Sequence, residues 1–270
     1  MLKDKKIGFI GGGNMAEALI KGLLAGGVPA RDIAVAEPAA ERRGFLQERY
    51  GVAVGNENSA IATACDVIIL SVKPQVCSEA LDSVRQALTP DKPLISILAG
   101  VTTAALESAL AGKPRVVRVM PNTPSLVMEG ATAICAGAHA TGEDISVARH
   151  IFELVGKTWL VEEKLLDAVT GLSGSGPAYV LTFIEALSDA GVKNGLSRDI
   201  ATGLAAQTVF GTAKLLLETR EHPAVLRDKV TSPGGTTIAG MYALEKDRFR
   251  SAVINGVDAA IARSKELGKN

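Results

Sequence analysis

The sequence has little of what builds metal centres, disulfide frameworks or stacking surfaces. It carries three cysteines, three histidines and one tryptophan in 270 residues. Cys65, Cys77 and Cys135 show no C-x-x-C spacing, and an odd, scattered count fits free thiols in a reducing compartment. His139, His150 and His222 lie far apart, without carboxylate or cysteine neighbours at ligand spacing, so no metal is expected. His222, beside Pro223, reads as a helix-entry residue rather than a base. There is no G-x-S-x-G nucleophile elbow. Charge of either sign is also not in excess. Lys+Arg and Asp+Glu both count 29, which argues against a polyanion partner, and no nucleic acid is expected. The first six residues, Met1-Leu2-Lys3-Asp4-Lys5-Lys6, read as neither signal peptide nor membrane span. A cytoplasmic chain with no membrane partner is the expectation.

Apolar residues are abundant: 47% of the chain is hydrophobic and mean hydropathy is +0.23. That is ample for a large core in one or two domains. The first half alternates short apolar runs with helical patterns. A strand at Ile7–Ile10 meets Gly11-Gly12-Gly13-Asn14-Met15-Ala16, behind which Met15, Leu19, Leu23 and Leu24 share one helical face. The order is strand, glycine turn, helix, with G-x-G-x-x-A at Gly11, Gly13 and Ala16. In that setting the motif points to a dinucleotide whose pyrophosphate sits on the helix start. A second strand, Ile33–Ala36, ends in Glu37, where an acidic residue meets an adenosine ribose.

The alternation continues through a helix over 39–50 and strands over 52–54, 67–70, 94–98 and 116–120. Two last strands are expected over 131–136 and 158–161, with a helix over 146–155 between them. The run Val67-Ile68-Ile69-Leu70 is unbroken, as in a parallel sheet covered on both faces. Ligands lie outside the carboxyl ends of such strands. Lys73, the Ala99-Gly100 turn and Asn122 fall there. Alone, Lys73 is an ordinary surface lysine and Asn122 an ordinary turn residue between two prolines. Their common position raises both.

After Glu162-Glu163 the strands stop. Asp167-Ala168-Val169-Thr170-Gly171-Leu172-Ser173-Gly174-Ser175-Gly176-Pro177 breaks a short helix and opens a long one. Helices follow over 198–219, 223–229, 236–246 and 249–267. The first of these is apolar around most of its girth. About 100 residues cannot cover so many apolar helices, so a partner copy is expected to supply the cover.

One stretch carries the sharpest chemistry: Ser232-Pro233-Gly234-Gly235-Thr236-Thr237, at the entry to a helix with Ile238, Met241 and Leu244 on one face. The glycines admit close approach of a ligand. The amides of Gly235, Thr236 and Thr237 would form an anion site, with hydroxyls beside them. An ordinary Ser or Thr cap after a turn is the bland reading.

Together these residues resemble the pyrroline-5-carboxylate reductase family over nearly the whole chain. The resemblance rests on residues 10–16, Val72-Lys73-Pro74, Met120-Pro121-Asn122-Thr123-Pro124, 167–179 and 232–237. It implies an α/β fold, with an N-terminal Rossmann dinucleotide-binding domain over 1–162. An all-α dimerisation and substrate-binding domain over 163–270 would follow. It implies reduction of 1-pyrroline-5-carboxylate to L-proline by hydride transfer from NAD(P)H. The cofactor is then expected on Ile10, Gly11, Gly12, Gly13, Asn14 and Met15. Glu37 would face its adenosine ribose, and Asn56, Ser71, Val72, Lys73, Pro74, Ala99, Gly100 and Asn122 would complete the cofactor site. The substrate is expected on Ser232, Gly234, Gly235, Thr236 and Thr237, with Glu163 and Ser175. The Thr237 hydroxyl would hydrogen-bond the ring nitrogen and pass a proton from water. A homodimer is implied, with a homodecamer also open.

NADPH is the family's habit. Glu37 departs from it: a carboxylate repels a 2′-phosphate and suits a free ribose, so NADH is admitted too. Arg42 and Arg43 stand near enough in sequence to offset it. A β-hydroxyacid dehydrogenase would instead place a catalytic lysine in the helical domain, and Lys193 and Lys214 lack that setting. A general imine reductase stays open, as does a non-catalytic nucleotide-sensing scaffold. Turnover of pyrroline-5-carboxylate separates these readings.

Overall fold

The computed structural model describes residues 2 and 5–268. Its first half contains β1 (Ile7–Ile10), α1 (Asn14–Ala25), β2 (Ile33–Ala36), α2 (Ala40–Tyr50), β3 (Ala53–Gly55), α3 (Asn58–Ala64), β4 (Val67–Leu70) and α4 (Cys77–Val84). Then come β5 (Pro93–Ser96), α5 (Thr103–Ala109), β6 (Arg115–Met120), β7 (Gly130–Ala136), α6 (Gly142–Glu153) and β8 (Gly156–Leu160). The strands form one sheet in the order β3-β2-β1-β4-β5-β6-β7-β8. The pairings from β3 through β6 are parallel. β7 runs antiparallel to β6, and β8 parallels β7. The chain reverses direction across the sheet between β1 and β4, which opens a crevice at their carboxyl ends.

Strand periodicity divides the core in two. Ile7, Phe9, Val67 and Ile69 face one side and pack with Leu19, Leu23 and Phe152. Ile10, Ile68 and Leu70 face the other and pack with Leu81 and Leu106. Consecutive residues thus feed opposite faces, and both faces are covered by helices. Each such large side chain contributes about 1.5–3 kcal/mol by leaving water.

Some boundaries moved. The strand expected over 94–98 ends at Ser96, followed by a turn with Gly100 at φ +76°. The helix expected over 146–155 starts at Gly142, because Thr141 and Asp144 form a capping box. α3 and α4 were not anticipated. They have seven and eight residues, too short for a strong periodic signal.

The second half contains α7 (Leu166–Val169), a π turn (Thr170–Gly174), α8 (Gly176–Lys193), α9 (Arg198–Thr219), α10 (Pro223–Lys229), α11 (Thr236–Lys246) and α12 (Phe249–Leu267). The chain forms two units. One runs through Ser175 and also takes the end of α12 from Ala260; the other is Gly176–Ala259. In the first unit Leu166 is fully buried beside Ala133 and Cys135.

In the helical unit α8 and α9 cross at small residues: a Cβ on Gly191 would lie 2.9 Å from that of Ala201. Ser188 and Thr202 share a hydrogen bond of 2.8 Å at the same crossing. α9 buries only Ala201 and Ala205 among the described residues. Leu204, Phe210 and Leu217 are each more than half exposed, at 58%, 56% and 60%. By length and composition alone α9 could cross a membrane.

Candidate active site

β1 ends in a turn that only glycine fits. Gly11 has φ +97°, and a Cβ there would lie 2.7 Å from the Ser71 carbonyl oxygen. A Cβ on Gly12 would meet the Leu46 side chain at 2.8 Å, whereas the space beside Gly13 is open. Gly13 caps α1 without a side-chain hydrogen bond, and the first intrahelical bond runs from Glu17 N to Gly13 O at 3.0 Å. The amides of Asn14, Met15 and Ala16 are therefore orphan donors beside open space. That cradle fits a dinucleotide pyrophosphate. Ile10 is fully buried beneath it, and Gly13 and Asn14 are exposed.

Glu37 follows β2. Its Oε2 accepts from the Gly12 amide at 2.9 Å and its Oε1 from the Ala39 amide at 3.0 Å. The carboxylate thus ties the β2–α2 loop to the glycine turn. Arg42 is also engaged: it donates to the Gly12 carbonyl at 2.6 Å and pairs with Glu17 at 2.6 Å. Tyr50 donates to the other Glu17 oxygen at 2.7 Å. Burial raises the Glu17 pKa, but the Tyr50 and Arg42 hydrogen bonds outweigh it and leave the carboxyl below its usual range. Arg43 donates to the Glu37 and Pro38 carbonyls, both at 2.7 Å. Asn56 is exposed just past β3.

The Ser71 hydroxyl donates to the Gly11 carbonyl at 2.7 Å, so the loop after β4 is fastened to the loop after β1. Val72 is half-buried; Lys73 and Pro74 are exposed, with Pro74 opening a 3-10 turn. Ala99 and Gly100 border a cleft with Pro74, Thr102 and Leu267.

Two expected site residues are engaged otherwise. The Asn122 side chain donates to the Ser173 carbonyl at 3.1 Å and accepts from the Ala131 amide at 2.8 Å. It clasps the π turn to the β6–β7 loop with one donor and one acceptor. Glu163 accepts from the Thr103 amide at 2.7 Å and the Thr103 hydroxyl at 2.6 Å, and pairs with Arg118 at 3.0 Å. Burial pushes the Glu163 carboxyl up, but the Thr103 hydrogen bonds and Arg118 outweigh it and hold its pKa below the usual value. Glu163 therefore receives the first amide of α5, which Thr102 caps, and neutralises Arg118, which is 5% exposed. The sequence reading missed this pair. The signal was there: an arginine inside Val116-Val117-Arg118-Val119 needs a buried partner. Ser175 closes the π turn, its amide donating to the Thr170 carbonyl at 2.8 Å.

The helical unit holds the other loop. Gly234 has φ +67°, and a Cβ on Gly235 would collide with the Ser232 hydroxyl. One expectation is corrected. The Gly235 amide does not point outward; it closes a turn onto the Ser232 carbonyl at 3.1 Å. α11 starts after Gly235 with no side-chain cap, and its first bond is Ala239 N to Gly235 O at 3.4 Å. The orphan donors are thus Thr236, Thr237 and Ile238. The bland reading of a Ser or Thr cap does not hold. Ser232 and Gly234 are exposed, and Thr237 is half-buried.

His222 caps α10, its Nδ1 accepting from the Ala224 amide at 3.2 Å. Among the described residues no group of three His, Cys, Asp or Glu is placed to hold a metal ion. All three thiols are free and buried, and burial pushes Cys65 and Cys135 up to about 11.

Comparison with known proteins gives consistent matches. Residues 163–267 match the family model for pyrroline-5-carboxylate reductase dimerisation. Residues 6–100 match that for NADP oxidoreductase, coenzyme F420-dependent. A pyrroline-5-carboxylate reductase of Synechocystis sp. is 50% identical, covering 98% of this chain and 98% of its own. The structure of such a reductase from Coxiella burnetii aligns with TM-score 0.93 and 38% identity, over 98% of this chain and 99% of that one. The Plasmodium falciparum pyrroline carboxylate reductase, solved with NADP bound, aligns with TM-score 0.89 and 35% identity over 98% of each chain.

Proposed function

The chain belongs to the pyrroline-5-carboxylate reductase family, and from that premise we propose how its residues divide the work. The reaction is NADPH-dependent reduction of the C=N bond of 1-pyrroline-5-carboxylate, giving proline. When bound, the dihydronicotinamide supplies the hydride. The Gly11–Gly13 turn and the amides of Asn14, Met15 and Ala16 hold the pyrophosphate. Glu37 receives a ribose hydroxyl on the lone pairs it does not use for Gly12 and Ala39. Residues 71–74 and the Ala99-Gly100 turn line the remainder.

The observation that carries the substrate assignment is the uncapped start of α11, with three orphan amides and two threonine hydroxyls at one helix end. The amides of Thr236, Thr237 and Ile238 hold the carboxylate, and the helix dipole favours its charge. The Thr237 hydroxyl donates to the ring nitrogen and passes it a proton from water. A neutral alcohol cannot act as a strong acid, so its role is to orient and to relay. The imine carbon is already electrophilic, so most of the rate comes from holding the two rings in register.

The helical unit carries the family's dimerisation domain, which accounts for the exposed apolar girth of α9 without invoking a membrane. We read the enzyme as a cytoplasmic homodimer at least, with a decamer as a higher assembly. Steady-state turnover of pyrroline-5-carboxylate with NADPH tests the reading. Loss of NADPH absorbance matched by proline formation is expected; cofactor binding without turnover would favour a sensing scaffold instead.

A further inference from the structure

The Ala99-Gly100 turn follows a strand that stops at Ser96. Among the described residues, Ala99, Gly100 and Val101 make no hydrogen bond of their own. A loop held by no ladder or side-chain bond takes its position from whatever packs on it. Val101 packs on the core beside the buried Leu98, and Gly100 is left to the end of α12. A Cβ on Gly268 would lie 2.9 Å from the Gly100 carbonyl oxygen, and one on Gly100 would lie 3.4 Å from the Gly268 amide nitrogen. One turn earlier, Ser264 is buried at 5% exposure and donates to Asp167 Oδ1 at 2.6 Å. Asp167 sits on α7, next to the fully buried Leu166.

We propose that the end of α12 is a brace for the Ala99-Gly100 turn, making Ser264, Asp167 and Gly268 positioning residues for the nicotinamide cofactor. This rests on the reading that the turn lines the cofactor crevice. The logic is mechanical. Asp167 fixes Ser264, Ser264 fixes the helix end, and the bare backbone at Gly268 lies against Gly100. A side chain at 268 would press on a backbone carbonyl, which cannot rotate away as a flexible side chain can. None of the three residues touches the reacting atoms, so their effect belongs in cofactor affinity.

The experiment measures NADPH Kd by fluorescence titration on the full-length protein, with kcat, KM for pyrroline-5-carboxylate and Tm alongside. Gly268→Val is expected to raise NADPH Kd about five- to tenfold, and Ser264→Ala about threefold, the scale of one hydrogen bond. Asp167→Asn keeps an acceptor for Ser264 and is expected to stay near the parent Kd. A lower Tm with unchanged Kd in both Gly268→Val and Ser264→Ala would overturn the brace. If Gly268→Val does not fold, Ser264→Ala alone decides. Gly100→Ala separates the two layers. If it leaves Kd unchanged, the turn does not line the cofactor, and that reading fails. If it raises Kd while Ser264→Ala and Gly268→Val do not, only the brace fails.

Discussion

The Glu37 carboxylate accepts the Gly12 amide at 2.9 Å, so the loop after β2 is tied to the glycine turn after β1. Its Oε1 holds the Ala39 amide, and Arg43 grips the same loop through the Glu37 and Pro38 carbonyls. Arg42 is held by Glu17 and the Gly12 carbonyl, so both arginines of α2 are engaged by the two loops.

That arrangement bears on cofactor choice. Two like charges about 4 Å apart at an effective dielectric of about 20 repel by about 4 kcal/mol, before solvent reduces it. A quarter of that is about fivefold in affinity. Glu37→Ser is expected to raise the ratio of kcat/KM for NADPH over NADH by about that factor. An unchanged ratio would mean that Glu37 serves only the loop.

Thr237→Ala is expected to retain Tm and NADPH Kd while kcat falls about ten- to a hundredfold, the effect of one hydrogen bond of roughly 1.5–3 kcal/mol to a developing charge. Wild-type kcat in this variant would remove the hydroxyl from the reaction.

Glu163→Gln addresses stability and its pH dependence. The Thr103 hydrogen bonds and Arg118 hold the folded pKa below the ordinary glutamate value, so the carboxylate's contribution is present above that ordinary value and is lost as pH falls through the folded pKa. The substitution leaves Arg118 buried without its counter-charge, at a cost of about 1–3 kcal/mol because Glu163 is partly solvated. A lower Tm near pH 7, with a shallower loss of stability on acidification, is expected in thermal melts. An unchanged Tm with a raised substrate KM would return Glu163 to the substrate site.

Asn122→Ala removes the clasp between the π turn and the β6–β7 loop. Two part-buried backbone groups lose partners, so chemical denaturation is expected to show a loss of about 1–2 kcal/mol. A fully stable variant with impaired NADPH binding would instead make Asn122 a direct cofactor ligand.

The exposed face of α9 predicts association. Light scattering at low micromolar protein should give a dimer or larger, and Leu204→Glu should weaken it by placing a charge where an apolar side chain is 58% exposed in the single chain. A stable monomeric parent would contradict this.

Local chemistry determined much of this protein from sequence alone. Unbroken apolar runs at Ile7–Ile10 and Val67–Leu70 call for a sheet covered on both faces. Glycine at 11 and 234 answers positive φ, and the motifs fall at strand and helix ends where loops must turn. Tertiary structure decided the partners of side chains far apart in sequence. Nothing near Glu163 foretells Thr103 and Arg118, 60 and 45 residues away. Asn122 meets Ser173 across 51 residues, and Ser264 meets Asp167 across 97. A carboxylate or amide can serve a ligand or a buried backbone group equally well. Which it serves depends on what the folded chain brings within about 3 Å, a distance that propensity and spacing do not encode.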